Sequence, residues 1–153
     1  MKRFHVHVSV NDLGQSTEFY SQLFGSPPTL QKPGYAKWML DDPRINFAIS
    51  TATGQAGIEH LGLQTDSDTE LDEVHGRMVE AGAMIKDEKS ATCCYAVSDK
   101  HWTVDPQGVV WEAFHTLGEA KRFGDDHGLS AAEARRPAAA AASCCGAQAA
   151  GCC

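Results

Sequence analysis

The sequence predicts an α+β fold in which two paired β-α-β-β-β modules form one curved sheet around a cleft, with the helices outside. Three observations predict it. FHVHVSVNDLGQSTEFYSQLFG and IEHLGLQTDSDTELDEVHGRMVEAG share one order: an alternating segment, a capping signal, a helical stripe and a glycine. Each is followed by strand-like segments around an Asp-Pro turn, Asp42-Pro43 in the first half and Asp105-Pro106 in the second. His5 and His60 stand at matching places in the two opening strands.

The elements follow in order. Phe4, Val6, Val8 and Val10 point one way and His5, His7 and Ser9 the other, the period of a strand with an apolar face for a helix and a polar face for the cleft. Asp12 with Gln15 forms a capping box, Phe19, Tyr20, Leu23 and Phe24 make the stripe, and Gly25 ends the helix. Tyr35 to Leu40 and Ile45 to Ser50 are strands, and Tyr20, Trp38 and Phe47 are core residues rather than substrate contacts. In the second half Ile58, His60 and Gly62 alternate with Leu61 and Leu63. Ser67 and Glu70 cap a helix striped by Leu71, Val74, Met78 and Val79, which stops at Gly82. Met84 to Asp87, Thr92 to Val97 and Val109 to His115 are strands, with residues 87–92 a polar loop. The modules span about residues 1–52 and 56–118 of a domain covering 1–127.

The chain has 153 residues and a formal net charge of −7, which suits one domain and excludes the cationic footprint of nonspecific nucleic-acid binding. No apolar run is long enough to span a bilayer, and MKRFHVHVSV lacks a signal-peptide layout, so a cytoplasmic protein is expected. From residue 128 to 153 the composition shifts to alanine, with a single leucine and no aromatic residue, too little to offset the cost of ordering. That stretch reads as a mobile tail. The six cysteines form three doublets, Cys93-Cys94, Cys144-Cys145 and Cys152-Cys153, the last two on the tail. Neighbouring cysteines bridge one another only through a strained ring, so reduced thiols with a metal or metalloid role are the better reading.

A carboxylate in the apolar strand VVWEAF is costly unless it is paired or coordinating. His5, His60 and Glu112 brought together across a sheet would bind one face of a divalent ion and leave positions open, a set typical of oxygen-activating non-haem iron(II). Counted from the Asp-Pro turns, the first-module counterpart of Glu112 is Ile49, which cannot coordinate, so three protein ligands are expected. His7 shares a face with His5 and is the second choice for its place. His75, His101, His115 and His127 lack matching partners and read as surface or packing residues.

Over roughly Arg3 to Thr116 the chain resembles the vicinal-oxygen-chelate superfamily, which includes glyoxalase I, fosfomycin and bleomycin resistance proteins and extradiol dioxygenases. The paired modules and the HVHVSVNDLGQSTEFYSQLFG opening carry that resemblance. Within the superfamily it is most similar to the organoarsenical carbon–arsenic lyases, a group that includes cadmium-inducible proteins, through YAKWMLDDPRINFAIS, GIEHLGLQ, CCYAVSDKHW and DPQGVVWEAF. The resemblance implies that His5, His60 and Glu112 hold iron(II), with dioxygen as co-substrate, and that Cys93 and Cys94 bind the arsenic of a trivalent organoarsenical. Nickel, cobalt or zinc would substitute for iron in a purified sample. Tyr95, Lys100 and Trp102 would line the site. Trivalent arsenic is soft and favours thiolates, so adjacent thiols suit it, provided they lie in a loop or bulge where both can face one atom. The alternative is a non-enzymatic cadmium- or arsenite-binding resistance protein. The chain would act alone or as a homodimer.

Overall fold

The computed structural model describes residues 1–51, 55–124 and 128–129. The first module comprises β1 (Arg3–Ser9), α1 (Leu13–Phe24), β2 (Leu30–Lys32), β3 (Tyr35–Asp41) and β4 (Arg44–Ser50). The second comprises β5 (Gly57–Thr65), α2 (Asp68–Glu80), β6 (Lys86–Cys93), β7 (Ala96–Val104) and β8 (Val110–Glu119). All eight strands join one sheet in the order β2-β3-β4-β1-β5-β8-β7-β6. Each module places its first strand parallel to its last, β1 on β4 and β5 on β8, and the modules meet where β1 pairs antiparallel with β5. The opening strands of both halves therefore lie at the centre of the sheet.

Both helices begin at the caps expected. Asp12 Oδ1 accepts from the Gln15 amide at 2.8 Å and Ser67 Oγ from the Glu70 amide at 3.2 Å, so orphan N–H groups of the first turns are satisfied. Gly25 ends α1 with φ 67, a left-handed conformation that glycine adopts without steric cost. The helices cover the outer face of the sheet. Ala36, Trp38, Phe47 and Ile49 are buried there with Val6, Val8, Tyr20 and Phe24 against them. Leu71, Val74 and Ala113 are the equivalent cluster of the second module, joined by Leu63 and Met78. The stripe expected on α1 is only half used: Tyr20 and Phe24 pack inward, whereas Phe19 and Leu23 are exposed.

Four differences from the expected elements bear on the site. The strand expected over Thr92 to Val97 is split by a turn at Cys94-Tyr95, and β7 runs on from Ala96 to Val104. The three-residue edge strand β2 is added. The polar run 87–92 is not a loop but most of β6, an edge strand paired with β7 and bulged between Glu88 and Ala91. Charges at Lys86, Asp87, Glu88 and Lys89 are what an edge strand carries to keep its open side from pairing with another chain. Ile49 belongs to the helix-side core, so the cleft-facing residues of β4 are its neighbours Asn46, Ala48 and Ser50. After β8 the chain returns along the β6–β7 hairpin. The Ala120 amide donates to the Tyr95 carbonyl at 2.8 Å, Phe123 packs on Tyr35 and Tyr95, and Gly128 lies against the Trp102 ring.

Candidate metal centre and thiol pair

The polar faces of β1 and β5 and the carboxylate of β8 meet on the inner face of the sheet. His5, His60 and Glu112 are all buried. His5 Nε2 lies 3.2 Å from His60 Nε2, and Glu112 Oε2 lies 3.7 Å from the first and 3.5 Å from the second. Imidazole and carboxylate ligands sit about 2.0–2.2 Å from a divalent first-row ion, so neighbouring ligand atoms lie roughly 3–3.5 Å apart. The triangle fits such an ion with little adjustment. His5 Nδ1 lies 2.9 Å from the Asn46 carbonyl oxygen, which can only accept, so Nδ1 carries the proton and Nε2 turns its lone pair to the centre. Gly62 makes the approach of β5 to β8 possible, because a Cβ there would run into the Glu112 carbonyl.

Lys100 on β7 donates to Glu112 Oε1 at 2.6 Å, leaving Oε2 for the histidines. Burial works against both charges, yet the Lys100 ammonium holds the Glu112 carboxyl well below the carboxylate range, and Glu112 in turn holds Lys100 above its ordinary value. Burial, then the neighbouring His60, pushes His5 down to about 4, against the pull of Glu112, so its imidazole is neutral and free to ligate.

Cys93 ends β6, Ala96 opens β7 opposite it, and Cys94-Tyr95 is the two-residue turn between them. Both turn residues have positive φ, 56 at Cys94 and 64 at Tyr95, as a type I′ hairpin requires. Asn-Gly is the usual choice for such a turn, and side chains of this size are held there at a cost of order 1 kcal/mol or more each. The turn supplies what a regular strand denies: the two sulfurs are 3.1 Å apart. Accepting from the Cys94 thiol lowers the Cys93 pKa, and Lys100 adds to this against the effect of burial. Donating to Cys93 raises that of Cys94, as does burial. Of the two sulfurs, Cys93 is the one whose surroundings favour the thiolate. A cavity of about 40 Å³ is lined by Cys93 and Cys94 together with His5, Glu112 and Lys100. The thiol pair thus shares one cavity with two members of the candidate triad, His5 and Glu112.

The expected site residues His5, His60, Glu112, Cys93, Cys94 and Lys100 are brought together here. Tyr95 is half-buried with its ring against Phe123 and Tyr35 and is not among the residues lining the cavity, while Trp102 packs edge-on to His60. Tyr35 lines the cavity from β3, a place the sequence does not show because Tyr35 reads there only as the start of a strand. His7 is buried beside the triad rather than in it, with Nε2 2.9 Å from Ser50 Oγ and Nδ1 3.4 Å from Glu59 Oε2. His75 and His101 are not isolated: they stack and share Asp87, while His115 pairs with Asp68 at 2.8 Å. His127 and the doublets Cys144-Cys145 and Cys152-Cys153 lie outside the described residues.

Residues 2–113 match the model of the Glyoxalase/Bleomycin resistance protein/Dioxygenase superfamily. The chain belongs to this superfamily. Among its superfamily relatives, the trivalent organoarsenical cleaving enzyme of Bacillus sp. (strain MD1) is 42% identical over 119 residues, covering 76% of this chain and 74% of the relative. The cadmium-induced protein CadI of Mycobacterium bovis is 34% identical over 125 residues, covering 81% and 82%. Solved superfamily structures share the fold. A Mn(II)-bound glyoxalase from Novosphingobium aromaticivorans superposes with a TM-score of 0.57 at 17% identity over 84% of this chain and 44% of that one. Homoprotocatechuate 2,3-dioxygenase from Arthrobacter globiformis gives 0.57 at 20% identity over 78% and 37%. No helix among the described residues is long and apolar enough to cross a membrane.

Proposed function

We propose that the protein is an iron(II)- and dioxygen-dependent enzyme that cleaves the carbon–arsenic bond of trivalent organoarsenicals in the cytoplasm. The observation that carries this reading is the single cavity lined by a thiol pair and by two of three convergent metal-ligand side chains. The 42% identical relative named as a trivalent organoarsenical cleaving enzyme supports it.

In this reading His5, His60 and Glu112 are the side chains that would hold iron(II). Iron(II) bound there supplies the one-electron chemistry that lets dioxygen react with a spin-paired substrate. The Cys93 thiolate attacks arsenic and displaces one hydroxide, and the Cys94 thiol displaces the second as water, so two sulfur–arsenic bonds replace two oxygen–arsenic bonds. The bidentate grip fixes the remaining carbon–arsenic bond against the triad, converting an encounter into a positioned pair. Lys100 keeps Glu112 ionised and favours the Cys93 thiolate. Methylarsonous acid and dioxygen together contain the atoms of arsenous acid and formaldehyde, so the conversion balances without a further reductant.

The test loads the chain with iron(II) anaerobically, adds methylarsonous acid, and compares wild type, Cys93→Ser and Glu112→Ala with and without oxygen. Arsenite release by the wild type alone, and only with oxygen, is expected. Release by Cys93→Ser at the wild-type rate, or none by the wild type, overturns the reading. Arsenic bound equally with and without oxygen, and never released, marks instead a thiol sink for cadmium or arsenite.

A further inference from the structure

We propose that His75, Asp87 and His101 form a second divalent-metal site, on the opposite face of the sheet from the cleft. His101 lies on β7 between Lys100, which reaches Glu112, and Trp102, which packs on His60, so alternation turns it to the outer face. There it meets Asp87 of β6, its partner across the ladder, and His75 of α2.

His101 Nδ1 lies 2.7 Å from Asp87 Oδ1, and His75 Nε2 approaches the same oxygen to 3.7 Å. The imidazole rings stack with centroids 4.2 Å apart and planes at 24°. His101 is buried, and its other nitrogen, Nε2, is enclosed with no hydrogen-bond partner among the described residues. A buried imidazole with one polar contact is a poor packing residue, and among the described residues that contact is a carboxylate that a second imidazole also faces. Two imidazoles and a carboxylate are borderline donors suited to cobalt(II), nickel(II) or zinc(II). Stacked rings run their lone pairs side by side, so both bind one ion only if one ring turns. His75, with 33% of its side chain exposed, has room to do so. The open side leaves positions for water.

An ion held here would tie α2 to the hairpin whose tip carries Cys93 and Cys94. It would act as a clamp on that hairpin and not as part of the cleft.

The probe is cobalt(II), titrated by its visible absorption into the full chain after its thiols are alkylated with iodoacetamide. Wild type, His75→Ala, Asp87→Asn and Glu112→Ala are compared. One fewer ion per chain is expected in His75→Ala and Asp87→Asn than in wild type, with the Glu112→Ala loss independent of theirs. His75 sits on the helix surface, so its replacement leaves the fold standing, and circular dichroism confirms this. Hydrogen exchange supplies a second readout: cobalt should protect the amides of α2 and β6 in Glu112→Ala and not in His75→Ala/Glu112→Ala. Wild-type stoichiometry retained in both His75→Ala and Asp87→Asn overturns the proposal, as does equal protection in the last two proteins.

Discussion

Cys93 and Cys94 are chemically unequal although they are neighbours. Cys93 accepts a hydrogen bond from Cys94 and feels the Lys100 ammonium, both of which favour its anion, whereas Cys94 donates and is the more deeply buried. The sign follows directly: a lowered thiol pKa keeps Cys93 ionised to lower pH than a free thiol, and a raised one keeps Cys94 protonated through neutrality. Iodoacetamide at neutral pH should therefore modify Cys93 several-fold faster than Cys94. Lys100→Met should slow the Cys93 reaction. Peptide mapping by mass spectrometry reads both rates, and equal rates would contradict the assigned polarity of the pair. Lys100 itself was legible as a site residue only through the CCYAVSDKHW stretch that carries the family resemblance. Its ion pair with Glu112 was not, because Lys100 and Glu112 belong to different strands whose register the sequence does not state.

At the scale of the element, the site depends on how closely β5 approaches β8. Gly62 faces Glu112 across that pair, and a methyl group there meets backbone, which cannot swing aside. Gly62→Ala should cost about 1–3 kcal/mol, the range for overpacking a tight interior. It should also displace Glu112, so metal affinity falls more than stability does. Urea denaturation and metal titration of the same variant separate the two effects, and a loss of stability with unchanged affinity would show that β8 yields elsewhere. The capped helices and the alternating strands β1, β3, β4, β5 and β8 could be read from the chain because their periodicity records one buried and one covered face. β6 could not. Its pattern is polar on both faces because it is an edge, so its charged residues resemble a loop until β7 is seen beside it.

At the scale of the whole molecule, the candidate metal centre joins the modules. His5 comes from the first, His60 and Glu112 from the second, and they meet only because β1 and β5 are central neighbours. A divalent ion bound there should stabilise the folded chain by about 2.7 kcal/mol at a free concentration about one hundred times its Kd, several degrees in Tm for a domain of this size. Glu112→Ala should lose the greater part of that gain in differential scanning calorimetry. An undiminished shift would place the stabilising ion elsewhere.

The duplicated pattern by itself determined the two modules, the helix caps and the histidine faces, because each is written in local spacing or in its repetition. Tertiary structure alone decided three things. It placed the thiol pair on a positive-φ turn over the cavity that His5 and Glu112 line, it moved Ile49 to the helix side, and it stacked His75 on His101. Each depends on which strand lies beside which and on what a turn costs, and those are set by contacts between residues far apart in the chain.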